Sequence, residues 1–210
     1  MDRRMFIRVS TVGSILTTMS VSAAQKKLPV TPTETEGPFY PLVAQADKDF
    51  DLTQVAGKTG TAKGQHIFVQ GKVVDTLGNP VPNVTVDLWQ ANAAGRYHHP
   101  HDENTAPVDE NFQSWAIVST NSGGLFNLKT VFPGAYPVSD HWARPPHIHF
   151  KITKKGYIEV ITQMYFPDHP LNKIDNLIQR KTAEEQKQMI AKQTANQADT
   201  YDYTIVIEKA

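Results

Sequence analysis

Arg144-Pro145-Pro146-His147-Ile148-His149-Phe150 reads as a β-strand with a rigid start. The two prolines fix φ and remove backbone donors, which suits the threshold of a strand and not its middle. Beyond them side chains alternate between faces, so His147 and His149 point one way, Ile148 and Phe150 the other. The second face belongs in a hydrophobic layer. The first holds two imidazoles side by side, half of a metal site.

Outward from this stretch the same kind of pattern recurs. His66 to Asp75 is rich in β-formers, Leu77 to Pro82 is a turn cluster, and Val84 to Gln90 alternates apolar and polar residues. Ser114 to Thr120 and Leu125 to Val131 flank Asn121-Ser122-Gly123-Gly124. Pro146 to Thr153 and Ile158 to Phe166 flank Lys154-Lys155-Gly156-Tyr157, and Tyr203 to Ile207 closes the series. Short strands between turn signals predict an all-β fold, an antiparallel β-sandwich with long loops. One late helix is expected, because Thr182-Ala183-Glu184-Glu185 is a capping box and good helix formers run on to Gln193.

The 210 residues suit one domain with a preceding arm. Residues 1–24 read as an export signal: Arg3 and Arg4 precede a short apolar run that ends in Ser22-Ala23-Ala24, a small-residue cleavage site. The Arg-Arg-x-Phe-Ile pattern resembles a twin-arginine signal, so the expected location is periplasmic or extracellular. The run is too short and too rich in Ser and Thr to span a bilayer, so no membrane contact is expected after processing. Residues 25–65 read as an extended arm and surface loop with one short helical turn, and residues 66–210 as the β-sandwich domain. A formal charge of zero gives no reason to expect nucleic acid. The absence of cysteine excludes disulfides, thiolate metal sites and cysteine nucleophiles.

Six of the eight histidines, three tyrosines and Arg144 lie between Tyr97 and Tyr157. Tyr97 sits in Gly95-Arg96-Tyr97-His98-His99, and Tyr136 in Pro133-Gly134-Ala135-Tyr136-Pro137, read as a turn before the histidine strand. A His-x-His pair on a strand is by itself more often a structural or solvent-facing pair than a ligand pair. Two tyrosines sharpen it. A phenol ionises near pH 10 in water, but a highly charged cation makes ionisation far easier. Two phenols and two imidazoles therefore suit a hard trivalent ion, with ferric iron the first choice. Copper or zinc on His147 and His149 in an exported enzyme is the alternative at this level.

Taken together, Gly-Arg-Tyr-His, Pro-Gly-Ala-Tyr-Pro and Arg-Pro-Pro-His-Ile-His-Phe resemble the intradiol ring-cleavage dioxygenases, most closely protocatechuate 3,4-dioxygenase subunits. The opening Thr35-Glu36-Gly37-Pro38-Phe39-Tyr40-Pro41, Leu88-Trp89-Gln90-Ala91-Asn92 and Ile161-Thr162-Gln163-Met164-Tyr165-Phe166 fit the same family. The resemblance runs from about Pro32 to Ile207. It implies non-haem Fe(III) held by Tyr97, Tyr136, His147 and His149. It also implies cleavage of a catechol by O2 between its hydroxyl-bearing carbons to a cis,cis-muconate-type product. Tyr136 would yield its place to the substrate, and Arg144 would stabilise negative charge developing on the ring. Tyr40, Gln163 and Trp89 are the expected substrate-binding residues. Assembly as a homo-oligomer, or as a hetero-oligomer with a related subunit, is implied as well.

The neighbours divide. His98, His99 and His101 read as a polar loop tip, and Arg96 as either a surface charge or a support of the site. His141 and Trp142 fall in a loop, and Val138 stands where many protocatechuate enzymes have a tryptophan. The run Gly71 to Val81 also resembles transthyretin-like (prealbumin-like) β-sandwiches. A transthyretin-like core is therefore expected, and an exported binding module without catalytic iron is the alternative function.

Overall fold

The computed structural model describes residues 26–43, 45 and 47–210. The export-signal reading concerns residues 1–24, which lie outside the described residues. No helix among the described residues is long and apolar enough to cross a membrane.

The strands are β1 (His66–Asp75), β2 (Thr85–Trp89), β3 (Trp115–Ser119), β4 (Leu125–Val131), β5 (Tyr136–Ser139), β6 (Trp142–Arg144), β7 (His147–Thr153), β8 (Val160–Tyr165), β9 (Lys192–Gln193) and β10 (Thr200–Ile207). They form two four-stranded sheets, ordered β4-β1-β10-β9 and β3-β2-β7-β8, and a separate β5-β6 hairpin. The helix α1 (Ala183–Met189) starts where the capping box requires: the Thr182 hydroxyl accepts from the Glu185 N–H, and the Glu185 carboxylate accepts from the Thr182 N–H.

The two four-stranded sheets enclose one apolar core. Ile67, Val69 and Val73 of β1, Leu128 of β4 and Ile205 of β10 meet Val86, Leu88, Ile148, Phe150 and Met164 from the other sheet. Every residue from His147 to Phe150 is buried. On the core side of β7 this is Ile148 and Phe150, as the alternation requires. Its far side is covered by a second cluster of Trp89, Tyr97 and Trp115, with Phe39, Tyr40 and Tyr136 packed against it.

Three expectations are corrected. The sandwich is not wholly antiparallel, since β1 and β10 pair in parallel from Phe68↔Thr200 to Asp75↔Ile207. These are the first and last long strands, so the whole intervening chain is available as the crossover that parallel neighbours need. Tyr136 does not sit in a turn but opens β5, directly opposite Arg144 of β6. The stretch 42–65 shows no helical turn among its described residues. It is a chain of bends and turns pinned to the sheet by the Leu52 N–H donating to Lys129 O at 2.8 Å, and Leu52 is fully buried in the core.

Candidate metal centre

Strand register assembles the first half of the site. Across the outer face of the β3-β2-β7-β8 sheet, Trp115, Trp89, His149 and Gln163 stand in one row, and His147 is opposite Tyr165. The opposition of Trp89 and His149 becomes a stack, with ring centroids 4.8 Å apart and planes 11° from parallel. This fixes the plane of the His149 imidazole. His147 is fixed differently: its Nδ1 lies 2.7 Å from Pro145 O, so the ring proton is held there and Nε2 presents a lone pair.

The Tyr97 loop is built on Asn92, whose Oδ1 accepts from the N–H groups of Ala94 and Arg96. Gly95 takes the left-handed conformation, φ 81°, that this turn demands. Asp102 Oδ2 then accepts from the Tyr97 N–H at 2.7 Å. The second tyrosine loop docks on the first backbone to backbone, with the Gly134 N–H donating to Asn92 O at 2.9 Å. A β-carbon on Gly134 would collide with the Gly95 nitrogen and Ala93 oxygen, so glycine is what permits the approach.

The result is a triangle of polar atoms. Tyr97 Oη is 3.3 Å from His147 Nε2 and 3.1 Å from His149 Nε2, and the two Nε2 atoms are 3.2 Å apart. Tyr136 completes the group, its ring 5.6 Å from that of Tyr97 and 5.8 Å from that of His147. Burial, then the Arg144 charge, pushes both imidazoles well below their ordinary pKa, so both are neutral. Burial pushes both phenols up, while Arg144 pulls against that rise.

These residues fit a cation. Nε2 of His147 has no proton, so Tyr97 Oη and His149 Nε2 can supply at most two protons to the three edges of the triangle. At least one edge is therefore left without a hydrogen bond, in a buried site where that is costly. A cation among the three atoms satisfies all of them. Metal–nitrogen bonds of about 2.0–2.1 Å place adjacent donors roughly 3 Å apart, which is the spacing observed. No group of three or more His, Asp or Glu that could hold a metal ion exists among the described residues, so the donor set here is imidazole and phenol and not a carboxylate cage.

Arg144 is buried beside this group. Its Nη2 donates to Gln163 Oε1 and, at 3.0 Å, to Tyr165 Oη. Its Nε is 3.0 Å from Asp175 Oδ1, close enough for an ion pair although the N–H is not aimed along a hydrogen bond. Tyr165 and Asp175 did not stand out in the sequence. Tyr165 was findable, because it follows Gln163 by two on a strand and so shares its face. Asp175 lies in a loop that carries no pattern.

The other expected residues are placed as follows. Gln163 reaches the site, but its amide is engaged at both ends, with Oε1 on Arg144 and Tyr165 and Nε2 donating to Thr35 O at 3.0 Å. Trp89 is 1% exposed and serves as the stacking floor of His149. Tyr40 packs edge-on to Trp89 and donates to Asp87 Oδ2 at 2.7 Å. Phe39 was not foreseen, yet its ring is 4.7 Å from that of Tyr97. His98 and His101 are exposed, whereas His99 is buried near Phe39. Val138 is exposed on the hairpin rim. Arg96 donates from Nη1 to Ala106 O at 2.8 Å. Trp142 donates from Nε1 to Asp175 Oδ1 at 3.0 Å, and His141 is exposed. A cleft of about 630 Å³ opens behind Tyr97, between Arg96, His99, Val108 and Phe112, and touches none of His147, His149 and Arg144.

With this geometry in hand, comparison with known proteins is decisive. Residues 35–208 match the family model described as dioxygenase. The chain belongs to the intradiol ring-cleavage dioxygenases. Over 146 residues it is 42% identical to the protocatechuate 3,4-dioxygenase beta chain of Burkholderia cepacia, covering 68% of this chain and 62% of that one. It is 28% identical to the hydroxyquinol 1,2-dioxygenase of Rhizobium sp. (strain MTP-10005), covering 66% and 48%. The chain thus spans about half to three-fifths of the length of these two relatives. Among solved structures, the dioxygenase domain of a carbohydrate-binding fusion protein from Streptomyces sp. SirexAA-E superposes with a TM-score of 0.66 at 26% identity, covering 87% of this chain and all of that one. The 3-chlorocatechol 1,2-dioxygenase of Rhodococcus opacus 1CP shares the fold, with a TM-score of 0.67 at 23% identity over 86% and 74% of the two chains.

Proposed function

We propose that this dioxygenase cleaves a catecholic ring with O2 between the two hydroxyl-bearing carbons, giving a cis,cis-muconate-type product, with non-haem Fe(III) as cofactor. The observation that carries the reading is the buried triangle of Tyr97, His147 and His149, closed by Tyr136 with Arg144 opposite it. Tyr97, Tyr136, His147 and His149 would hold the ion. Bound there, ferric iron supplies Lewis acidity to the two catechol oxygens and withdraws electrons from the ring.

The chain's own residues do the rest. His147 and His149 stay neutral at working pH, so they bring lone pairs and no competing charge. Tyr136 is the least buried of the four donors and the one opposite Arg144. It is therefore the donor whose place a substrate oxygen would take, and its oxygen, a phenolate while it held the ion, would be placed to receive a catechol proton on leaving. Arg144 places a permanent positive charge in a water-poor site, where it stabilises negative charge on the ring most effectively. Phe39 and Gly37 of the arm close over Tyr97 and His149 and keep water off the reacting face.

Family membership favours this enzyme over a binding module on the same, transthyretin-like scaffold. The name of the Burkholderia relative, a beta chain, supports an assembly of several subunits, either copies of this chain or pairs with a related one. Export through the twin-arginine-like segment to the periplasm or the outside completes the reading.

Oxygen uptake by the iron-loaded protein across a panel of catechols tests the activity. The ligand assignment is tested by colour. The loaded protein is expected to show a broad visible phenolate-to-iron band that Tyr97→Phe removes or shifts strongly. A colourless protein at full iron occupancy, or no uptake with any catechol, overturns the proposal.

A further inference from the structure

We infer that Asp175 is a positioning residue for the ring-cleavage reaction and acts through Arg144, an inference that rests on the function proposed above. The side chains of Asp175 and Arg144 are 0% and 6% exposed, and Arg144 Nε is 3.0 Å from Asp175 Oδ1. A guanidinium cannot discharge itself by losing a proton, so burying one requires a counter-charge or dense hydrogen bonding. Asp175 supplies that charge. Gln163 and Tyr165 are neutral partners and take Nη2. Nη2 is held by hydrogen bonds and Nε sits within ion-pair range of Asp175, so Nη1 is the arm of the fork that takes no hydrogen bond to a described residue, and the one left for a ligand.

Asp175 is itself gripped from three directions. Trp142 Nε1 donates to Oδ1 at 3.0 Å from the β5-β6 hairpin, the Ile178 N–H donates to Oδ2 at 3.2 Å, and Tyr165 Oη of β8 approaches Oδ2 at 3.5 Å. The carboxylate therefore joins the hairpin that carries Tyr136 to the sheet that carries both histidines, and it sets where the Arg144 charge sits between them. A carboxylate free to swing would not do this. Its loss should move the charge and leave the donors in place, a change felt in turnover and not in substrate affinity.

The experiment is a double-mutant cycle of Asp175→Asn and Arg144→Gln, read in two ways. In the iron-loaded proteins, Asp175→Asn is expected to lower kcat per bound iron at least tenfold with KM changed less than threefold. In the Arg144→Gln background the same change should cost nothing further. In the metal-free proteins, urea unfolding should show Asp175→Asn raising the unfolding constant by roughly a hundredfold to a few thousandfold beside Arg144, and less than threefold beside Gln, because breaking one side of a buried pair strands the other charge. If Asp175→Asn does not fold, Asp175→Glu replaces it in the cycle. It keeps the charge on a longer stem and should lower kcat only when Arg144 is present.

Additive losses in kcat, or no coupling in unfolding, overturn the inference while the wild type still turns over catechol. A wild type that consumes no oxygen with any catechol overturns the functional reading and this one with it.

Discussion

Tyr136 and Arg144 stand directly opposite each other across the β5-β6 hairpin, which brings a phenol proposed to hold the metal and a permanent cation to one side of the same two-stranded element. Short as it is, the hairpin couples the donor a catechol would replace to the charge that would stabilise the reacting ring. Arg144→Lys should separate these roles. Lysine keeps the charge but offers a point ammonium in place of a fork, so it cannot hold Gln163 and Tyr165 in the same geometry. The expected loss in kcat is roughly 10²- to 10³-fold, with the iron content unchanged. Steady-state oxygen uptake alongside metal analysis measures both, and an undiminished kcat contradicts the role given to Arg144.

Gly134 makes a second, purely steric prediction. The two tyrosine loops approach so closely there that even a methyl group has no room. Gly134→Ala should push the Tyr136 loop off the Tyr97 loop, at a cost of about 1–3 kcal/mol for overpacking. Iron affinity should fall more than stability does, since two of the four donors are displaced relative to each other. Equilibrium iron binding compared with a thermal melt of the metal-free protein separates these effects. Unchanged iron affinity would mean that the loops yield without moving the phenols.

How much of this was legible in the sequence follows from what carries the signal. The long strands β1, β4 and β7 announce themselves by β-formers and alternation, and α1 by a complete capping box. The His147 and His149 geometry follows from strand period alone, and Tyr97 and Tyr136 stood out by their chemistry. The parallel β1-β10 pairing could not be read, because register between the first and last strands leaves no trace in local periodicity. The hairpin was hidden by its length, two short strands of which one contains Pro137. Asp175 was invisible for a deeper reason: its partners Arg144 and Trp142 of β6 and Tyr165 of β8 come from two other elements, and no local spacing joins them.

Asp75 gives a pH prediction away from the site. Burial alone would raise its pKa, but hydrogen bonds from Asn79 and from the Leu77 N–H outweigh this and hold the carboxyl below its usual range. A carboxyl with a depressed folded pKa binds fewer protons folded than unfolded, so it stabilises the fold above the unfolded value of about 3.9. That stabilisation is lost as pH falls through the folded value. Asp75→Asn should therefore destabilise the protein by about 1 kcal/mol at pH 7, and the deficit should shrink below about pH 4. Urea midpoints of the two proteins at pH 7, 5 and 3.5 provide the check, and a deficit that is constant with pH excludes the charge as its source.

The arm over the site is the last element whose role can be measured. It is tied down along its length by Thr162 Oγ1 donating to Pro32 O at 2.8 Å, by the Glu34 N–H donating to Ile161 O at 2.8 Å, and by Gln163 on Thr35 O. At its end Tyr40 donates to Asp87, which also accepts from Trp115 Nε1 at 2.7 Å. Burial first, and then Asp87, keep the Tyr40 phenol protonated far above the ordinary range, so it is a donor at any working pH. Tyr40→Phe keeps the edge-on packing against Trp89 and removes only this bond, leaving a largely buried carboxylate with Trp115 as its remaining side-chain donor among the described residues. Hydrogen bonds to charged groups contribute about 1.5–3 kcal/mol, so amide exchange across residues 36–41 should accelerate by one to two powers of ten while exchange in β1 stays as it was. If the arm shields the reacting face, catechol KM rises in the same variant and kcat falls less than it does for Arg144→Lys. If Tyr40 touches the ring directly, kcat and KM change with no gain in exchange along the arm, so hydrogen exchange distinguishes a latch from a substrate contact.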